Sequence, residues 1–322
     1  MRGVRMNRRD FLGASTSCAA HLWLVSGAMS PLARSLFAAR PTGRVLAQEP
    51  WGRIERIAPN VWALISTPLA GDPDARRTLS NGGIVTGSNG TLLVEGFASD
   101  AGATWLAERA RELTGRLPTH VILTHYHGDH SAGLAAYRRP EGAPAFVTTE
   151  ATLGLLRLAP VVELLERGQL VAPDTPLTLD LGGIQVLVTP RSGHTPSDVT
   201  ITVQEPRVVF CGDLLWNGMF PNYRDAIPSV LSREVRAMTS EASATYVPGH
   251  GSIPSSAELR NYVGLLDHIE AAARRAFAAG KPAADAAREF AMPPALGEWH
   301  RFSDSYYQVA LAAWERDLRG SP

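Results

Sequence analysis

Four candidate metal ligands lie within one seven-residue segment, Thr124-His125-Tyr126-His127-Gly128-Asp129-His130. The apolar run just before this segment predicts a buried strand that ends in the polar cluster. Alternate side chains of an extended chain share a face, so we expect His125 and His127 to bind one ion together. Gly128 permits a turn, after which Asp129 and His130 can face a second ion. Imidazole and carboxylate together suit Zn²⁺ better than Mg²⁺ or Ca²⁺, so the segment predicts zinc.

Three later segments each place a candidate ligand beside glycine: Ser192-Gly193-His194-Thr195-Pro196-Ser197-Asp198, Cys211-Gly212-Asp213 and Pro248-Gly249-His250-Gly251. A glycine next to a ligand lets the backbone approach closely or adopt an unusual angle. Taken alone, His194 or His250 would be interpreted as a core or turn histidine, and Asp213 as a residue that turns the chain after a strand. Their order along the chain favours metal binding instead. Asp198 is expected to shape its loop rather than to bind metal.

The four segments, in this order, resemble those of the metallo-β-lactamase-fold hydrolase superfamily, and the resemblance covers roughly residues 53–251. It implies an α/β fold, the αβ/βα four-layer sandwich. It also implies two Zn²⁺ ions per chain. The implied ligands are His125, His127 and His194 for one ion and Asp129, His130 and His250 for the other, with Asp213 bridging.

The chemistry that the resemblance implies is hydrolysis. Two close dications lower the pKa of a shared water enough to supply hydroxide near neutral pH. Asp129 is the predicted catalytic residue, which orients that hydroxide or passes its proton to the leaving group. The cysteine-bearing lactamases place a thiolate ligand where this chain has Asp213, and Cys211 lies two residues before that position. The ligand set is therefore similar to that of glyoxalase-II-type hydrolases, and β-lactamase activity is not favoured.

These features predict an exported binuclear zinc hydrolase that cleaves an ester, thioester, lactone or lactam. The chain is also similar to exported zinc hydrolases of quinoprotein systems. Two alternatives stay open: a mononuclear iron oxygenase similar to the persulfide dioxygenases of this fold, and a metal-binding protein that assembles a partner without catalysis. Trp216 and Phe220, which follow Asp213, are interpreted equally well as core residues or as an apolar pocket wall. A pocket wall would favour an uncharged acyl substrate.

The N-terminal segment resembles a twin-arginine export signal, because Asn7-Arg8-Arg9-Asp10-Phe11-Leu12 precedes a mildly apolar stretch. Small residues precede two candidate cleavage points, after Ala28 and after Ala47. The second is favoured, which makes residues 1–47 the signal peptide. The resemblance implies recognition by the twin-arginine export machinery and a periplasmic or secreted protein. An uncleaved anchor or a basic tail is the alternative.

Beyond residue 47 the chain is acidic, with 24 basic and 30 acidic residues and a formal net charge of −6. This charge gives no reason to expect binding to nucleic acid or to anionic membranes. No later run of about 18 apolar residues occurs, so we expect no stable membrane insertion. The expected partner is a small-molecule substrate, and the sequence does not indicate an oligomeric state.

Residues 48–251 are predicted to form the hydrolase domain. Alternating apolar residues predict hairpins over 53–67 and 83–95. Apolar spacing predicts helices over 100–114 and, as a single element, over 151–167. Alanine-rich or amphipathic segments then predict three more helices, over 256–279, 283–290 and 303–318. Residues 252–322 are therefore expected to form a helical C-terminal extension.

Overall fold

The computed structural model describes residues 41–67, 78–138, 142–156 and 159–320. Within these ranges the β-strands form two sheets. The first sheet contains β1 (Arg44–Glu49), β2 (Gly52–Ala58), β3 (Val61–Ser66), β4 (Gly82–Thr86), β5 (Thr91–Val94), β6 (His120–Ile122), β7 (Ala145–Thr149) and β8 (Gln169–Val171). The second contains β9 (Leu177–Asp180), β10 (Gln185–Pro190), β11 (Val199–Val203), β12 (Val208–Phe210) and β13 (Thr245–Val247).

Helices cover the outer faces of both sheets. They are α1 (Asp100–Thr114), α2 (Gly128–Ser131), α3 (Glu150–Leu155), α4 (Ala159–Leu165), α5 (Pro228–Met238), α6 (Ser256–Ala278), α7 (Ala283–Glu289) and α8 (Tyr306–Leu318). Helix α1 begins where the Ser99 side chain accepts a hydrogen bond from the backbone N–H of Gly102. Helix α6 begins with a capping box of Ser255 and Glu258. None of the helices in the described ranges is both long and apolar enough to span a membrane.

Strand direction changes within each sheet. Strands β1 to β5 pair antiparallel in chain order, and β5 to β8 pair in parallel. The second sheet has the order β13-β12-β11-β10-β9, and among its described strands β12 and β13 alone pair in parallel. In that pair Phe210 lies opposite Val247. Asp213 is the third residue after β12, and His250 is the third residue after β13. The register of the two strands therefore places both residues at the same edge of the sheet.

Apolar side chains fill three layers. The layer between the sheets includes Val85 and Phe210. A second layer packs α1 and α4 against the first sheet. The third joins Val209 of β12 to α5, α6 and α8, where Trp314 is fully buried. Val209 faces the helices while its neighbour Phe210 faces the other sheet, as strand pleating requires. The fold is therefore the expected four-layer α/β sandwich, and the helical C-terminal region packs into it.

Most of the predicted elements are confirmed, including both hairpins and the helix over 100–114. The single helix predicted over 151–167 is wrong. The chain leaves α3 at Leu156, whose backbone is extended at φ −63° and ψ 144°. Leu156 is buried in the layer that packs α1 and α4 against the first sheet. Apolar spacing alone did not reveal this break, because both helices bury side chains in the same layer.

The boundary after Ala47 stays a prediction, and β1 spans it. Strand β1 pairs with β2, with Ala47 opposite Ile54, so the favoured cleavage point after Ala47 falls inside a paired strand. The Glu55 carboxylate accepts hydrogen bonds from the backbone N–H groups of Thr42 and Gly43, at 2.8 and 3.0 Å. The folded body therefore starts before residue 48. The rest of the predicted leader, residues 1–40, lies outside the described residues.

Gly83 provides a test of the packing between the sheets. An added Cβ would lie 2.2 Å from the Phe210 ring and 2.8 Å from the Trp62 carbonyl oxygen. Gly83→Ala should therefore lower the free energy of unfolding by about 1–3 kcal/mol, the usual cost of overpacking a core. Gly154→Ala is the matched control, because an added Cβ there meets nothing within 4 Å. The control should be neutral or stabilising in urea unfolding, and equal stability of the two variants would contradict the tight packing at Gly83.

Candidate metal centre

All seven residues predicted as ligands lie together at one end of the two sheets, and all are buried. His125 and His127 follow β6 of the first sheet. In the second sheet, His194 lies in the loop after β10, Asp213 follows β12 and His250 follows β13. Helix α2 carries Asp129 and His130. The side chains form two groups, His125, His127, His194 and Asp213 in one and Asp129, His130 and His250 in the other.

The first group is built mainly from imidazoles. His127 Nδ1 lies 3.0 Å from His194 Nε2. Asp213 Oδ2 lies 3.3 Å from the same nitrogen of His194 and 3.9 Å from His125 Nε2. Four potential ligand atoms from three chain segments therefore converge on one point. Three imidazoles and a carboxylate are a donor set that suits Zn²⁺.

The second group contains one carboxylate, Asp129, and a second carboxylate, Asp213, reaches it from the first group. His250 Nε2 lies 3.2 Å from Asp129 Oδ2 and 3.3 Å from Asp213 Oδ1. His130 Nε2 lies 3.1 Å from the same Asp213 oxygen. Asp213 thus directs one oxygen to each group. This is the position expected of a bridging carboxylate.

Helix α2, rather than a glycine turn, directs Asp129 and His130 to the second group. Gly128 is the first residue of α2, and an added Cβ there would meet nothing within 4 Å. Steric contact therefore does not restrict this position to glycine. Gly249 is different, because an added Cβ would lie 2.0 Å from Asp213 Oδ1. A side chain at position 249 would displace the shared carboxylate.

Burial opposes charge on these groups, and their neighbours decide which of them are charged. Burial alone would raise the pKa of Asp213, but His250 and His130 hold it well below its usual range. Burial would lower the pKa of His250, yet the carboxylates of Asp213 and Asp129 raise it to about 9. Burial lowers the pKa of His194 to about 3, which keeps this ring neutral. Protons on His130 and His250 thus balance the buried carboxylates, and a bound cation would replace those protons.

The residues fit a pair of metal ions. Several buried atoms that point into the centre have no hydrogen bond of acceptable geometry within the described residues: His125 Nε2, His130 Nε2, His250 Nε2, Asp129 Oδ1 and Asp213 Oδ1. Leaving so many buried polar atoms unsatisfied is costly, and metal coordination would satisfy them. His125, His127 and His194 would hold the first ion. Asp129, His130 and His250 would hold the second, and Asp213 would contact both.

A surrounding set of polar groups fixes the orientation of the rings, and sequence reasoning missed most of it. His127 Nε2 lies 2.9 Å from Asp225 Oδ2, which leaves Nδ1 to face the centre. Asp225 is 24% exposed and also hydrogen-bonds the Tyr126 side chain. His130 Nδ1 lies 3.1 Å from the buried Glu95. Carboxylates in these positions fix the tautomer and orientation of a ligating histidine.

Glu95 could have been found from sequence, because it directly follows β5, the neighbour of the strand that precedes His125. Asp225 gave no such signal, since it lies in a loop 98 residues from His127. The expectation for Asp198 is confirmed. Its carboxylate accepts hydrogen bonds from the backbone N–H groups of His194 and Thr195 and from the Thr195 hydroxyl, which shapes the loop.

The structure decides between the two interpretations of Trp216 and Phe220. Both are buried, at 2% and 0% exposure, within the layer that packs the second sheet against the C-terminal helices. The Trp216 N–H donates to the Asp213 carbonyl oxygen at 3.0 Å. Neither residue is a pocket wall, so the argument from an apolar wall to an uncharged substrate fails.

The sequence model of the metallo-beta-lactamase superfamily matches residues 75–250, more than half of the chain. This chain belongs to the metallo-beta-lactamase superfamily. The match includes all seven candidate ligands and ends at His250, so α6, α7 and α8 lie beyond it.

Known proteins agree with this membership. The chain is 33% identical over 113 residues to a UPF0173 metal-dependent hydrolase of Pyrobaculum calidifontis and 32% identical to one of Pyrobaculum neutrophilum. These matches span 32% of this chain and 46% of each relative, which is about half the length of the relatives.

Solved structures with the same fold include a metallo-beta-lactamase from Pontibacter korlensis, at 23% identity and a TM-score of 0.53. The DIM-1 metallo-beta-lactamase matches at 24% identity and a TM-score of 0.54. The two alignments cover 67% and 70% of this chain and 99% of each neighbour. At these identities the likeness shows the fold alone. About a third of this superfamily member has no counterpart in either neighbour.

Asp225 provides a test of the first ligand group. Asp225→Ala should weaken binding of one Zn²⁺ by about 10- to 100-fold, because His127 loses the acceptor that orients its ring. Asp225→Asn should retain most of the affinity, since the amide oxygen still accepts the Nε2–H. Competition with a chelator measures both affinities. Asp180→Asn is the control, because Asp180 is exposed and accepts a turn hydrogen bond from Gly182. Wild-type affinity in Asp225→Ala would show that the ring is oriented without this carboxylate.

Proposed function

We propose that this chain is a metal-dependent hydrolase that works with two Zn²⁺ ions and cleaves an acyl compound. The observation that carries the proposal is the position of Asp213, whose two oxygens face two separate ligand groups. Such an arrangement suits two ions held close together around a shared carboxylate. The names of the Pyrobaculum relatives, metal-dependent hydrolases, support the same class.

Bound in these two groups, the ions would supply an activated water near neutral pH and polarise a carbonyl group. The chain's own residues would manage the proton. Asp129 Oδ1 is buried without a hydrogen-bond partner among the described residues, so it can accept a proton from the attacking water. The same carboxylate can then pass that proton to the leaving group. Asp129 is therefore the proposed catalytic residue, and Glu95 and Asp225 are positioning residues for His130 and His127.

The proposed substrate is a neutral or singly charged ester, thioester, lactone or lactam. After processing behind Ala28, residues 29–322 carry 27 basic and 30 acidic residues and a formal net charge of −3, which does not favour polyanions such as nucleic acids. The partly exposed carboxylate of Asp225, which lies beside His127, adds negative charge next to the centre. The solved neighbours are named as lactamases, and lactams belong in the test for that reason.

The test combines metal analysis with a panel of lactam, lactone, thioester and phosphodiester substrates on the purified protein. About two zinc ions per chain and turnover of at least one acyl substrate are expected. Asp129→Asn should lower kcat by about 10²- to 10⁴-fold, the usual contribution of a general acid–base group. Asp180→Asn is the control, because Asp180 is exposed and accepts a turn hydrogen bond from Gly182. Iron with oxygen consumption, or full zinc with no acyl turnover, would refute the proposal.

We further propose export by the twin-arginine machinery to the periplasm or the exterior, with processing after Ala28 rather than Ala47. Twin arginines at Arg8 and Arg9 support export. Cleavage after Ala47 would remove residues 44–47 from β1 and would separate Thr42 and Gly43 from Glu55. A point before residue 41 leaves all of these contacts intact.

Replacing Arg8 and Arg9 together by lysine should leave unprocessed precursor in the cytoplasm, because the export receptor reads the arginine pair. Fractionation and N-terminal sequencing of the processed wild type measure both parts. Replacing Arg34 and Arg40 by lysine is the control and should leave processing unchanged. A mature N-terminus at Gln48 would overturn the proposed cleavage point. Normal processing of the Arg8/Arg9 variant would overturn the proposed export route.

A further inference from the structure

One buried indole contacts two candidate ligands. The Trp216 ring lies 4.2 Å from the His250 ring, with 37° between their planes. The same indole N–H donates to the backbone oxygen of Asp213. The backbones of Trp216 and His250 also form a β-bridge, and Asn217 N–H donates to the His250 oxygen at 3.0 Å. Trp216 therefore holds both the ring and the backbone of His250.

This contact lies behind the ring face of His250. In the orientation that packs against the indole, His250 Nε2 lies 3.2 Å from Asp129 Oδ2. Trp216 is buried in the core layer that joins the second sheet to the C-terminal helices, and its one polar group is bonded to the backbone of Asp213. Its role must therefore be exerted through the ligand on which it packs.

The C-terminal region lies behind this indole. Phe302, fully buried, directs its ring edge-on to Trp216 with the centroids 6.2 Å apart. His300 exchanges backbone hydrogen bonds with Gly218 and Phe220, at 3.0 and 2.7 Å. From α6, the Tyr262 hydroxyl donates to the Leu214 carbonyl oxygen at 3.1 Å. Residues beyond 250 thus contact the segment from Asp213 to Phe220 at several points. The family match ends at residue 250, so these contacts come from outside it.

We propose that Trp216 is the positioning residue of His250, and that the C-terminal region supports the second ligand group by holding Trp216 in place. This inference rests on the proposed metal centre. It gives the helical C-terminal region a function, although that region supplies none of the seven candidate ligands. Residues that orient a ligand typically change metal affinity by 10- to 100-fold when they are replaced.

The experiment titrates metal-free wild type and four variants with Zn²⁺ against a chromogenic chelator, which resolves the affinities of the two ions. Trp216→Leu should weaken one of the two ions by about 10- to 100-fold and leave the other unchanged. Phe302→Ala should weaken the same ion by a smaller factor. Trp216→Phe should retain most of the affinity, since it keeps an aromatic face against His250. Trp314→Phe is the matched control, because Trp314 is buried in the same layer and is not in contact with a candidate ligand.

A second measurement keeps the test decisive if Trp216→Leu does not fold. Zn²⁺ added to the metal-free wild type should change the tryptophan fluorescence, because one indole lies on a candidate ligand ring. Trp216→Phe should abolish that change and Trp314→Phe should retain it. An unchanged fluorescence response in Trp216→Phe, or wild-type affinity for both ions in Trp216→Leu, would overturn the inference. Absence of Zn²⁺ binding by the wild type would overturn the proposed function as well, so the two failures are distinguishable.

Discussion

The shared carboxylate of Asp213 is the constraint on which the rest of the structure depends. A buried carboxylate is costly unless positive charge and hydrogen bonds surround it. Four imidazoles lie within 4 Å of its two oxygens, two on each side. Gly249 leaves the space that this carboxylate occupies, and the parallel pair of β12 and β13 sets its distance from His250. The centre therefore depends on the register of these two strands within the second sheet.

The seven candidate ligands could be selected from the sequence because they occur as local patterns. The cluster around His125 and the glycine-flanked His194, Asp213 and His250 are each visible within a few residues, and all seven candidates lie together in the structure. The surrounding groups were not visible in the same way. Asp225 approaches His127 only because a long loop folds back across the site, and no short pattern contains both residues.

The same distinction explains the errors in the fold. Hairpins and α1 follow from local periodicity and capping, and these predictions are confirmed. The break at Leu156 and the inclusion of β1 in the first sheet depend on tertiary contacts. A short exposed strand such as β1 resembles the end of a leader in composition, and only its pairing with β2 and the contacts of Glu55 show where it belongs. The role of Trp216 could not be decided from sequence for a related reason. An apolar residue that follows a candidate ligand suits a pocket wall and the hydrophobic core equally well.

The two ligand groups draw on both sheets, and their members are spread from residue 125 to residue 250. An ion in the first group would therefore tie the loop after β6 to the loops after β10 and β12, as a cross-link between the halves of the sandwich. A ligand that binds only the folded state adds about 4 kcal/mol to stability at a thousand times its dissociation constant. Thermal stability of this protein would then depend on free metal concentration. The cellular compartment in which the ion is inserted would decide where the sandwich becomes resistant to unfolding and proteolysis.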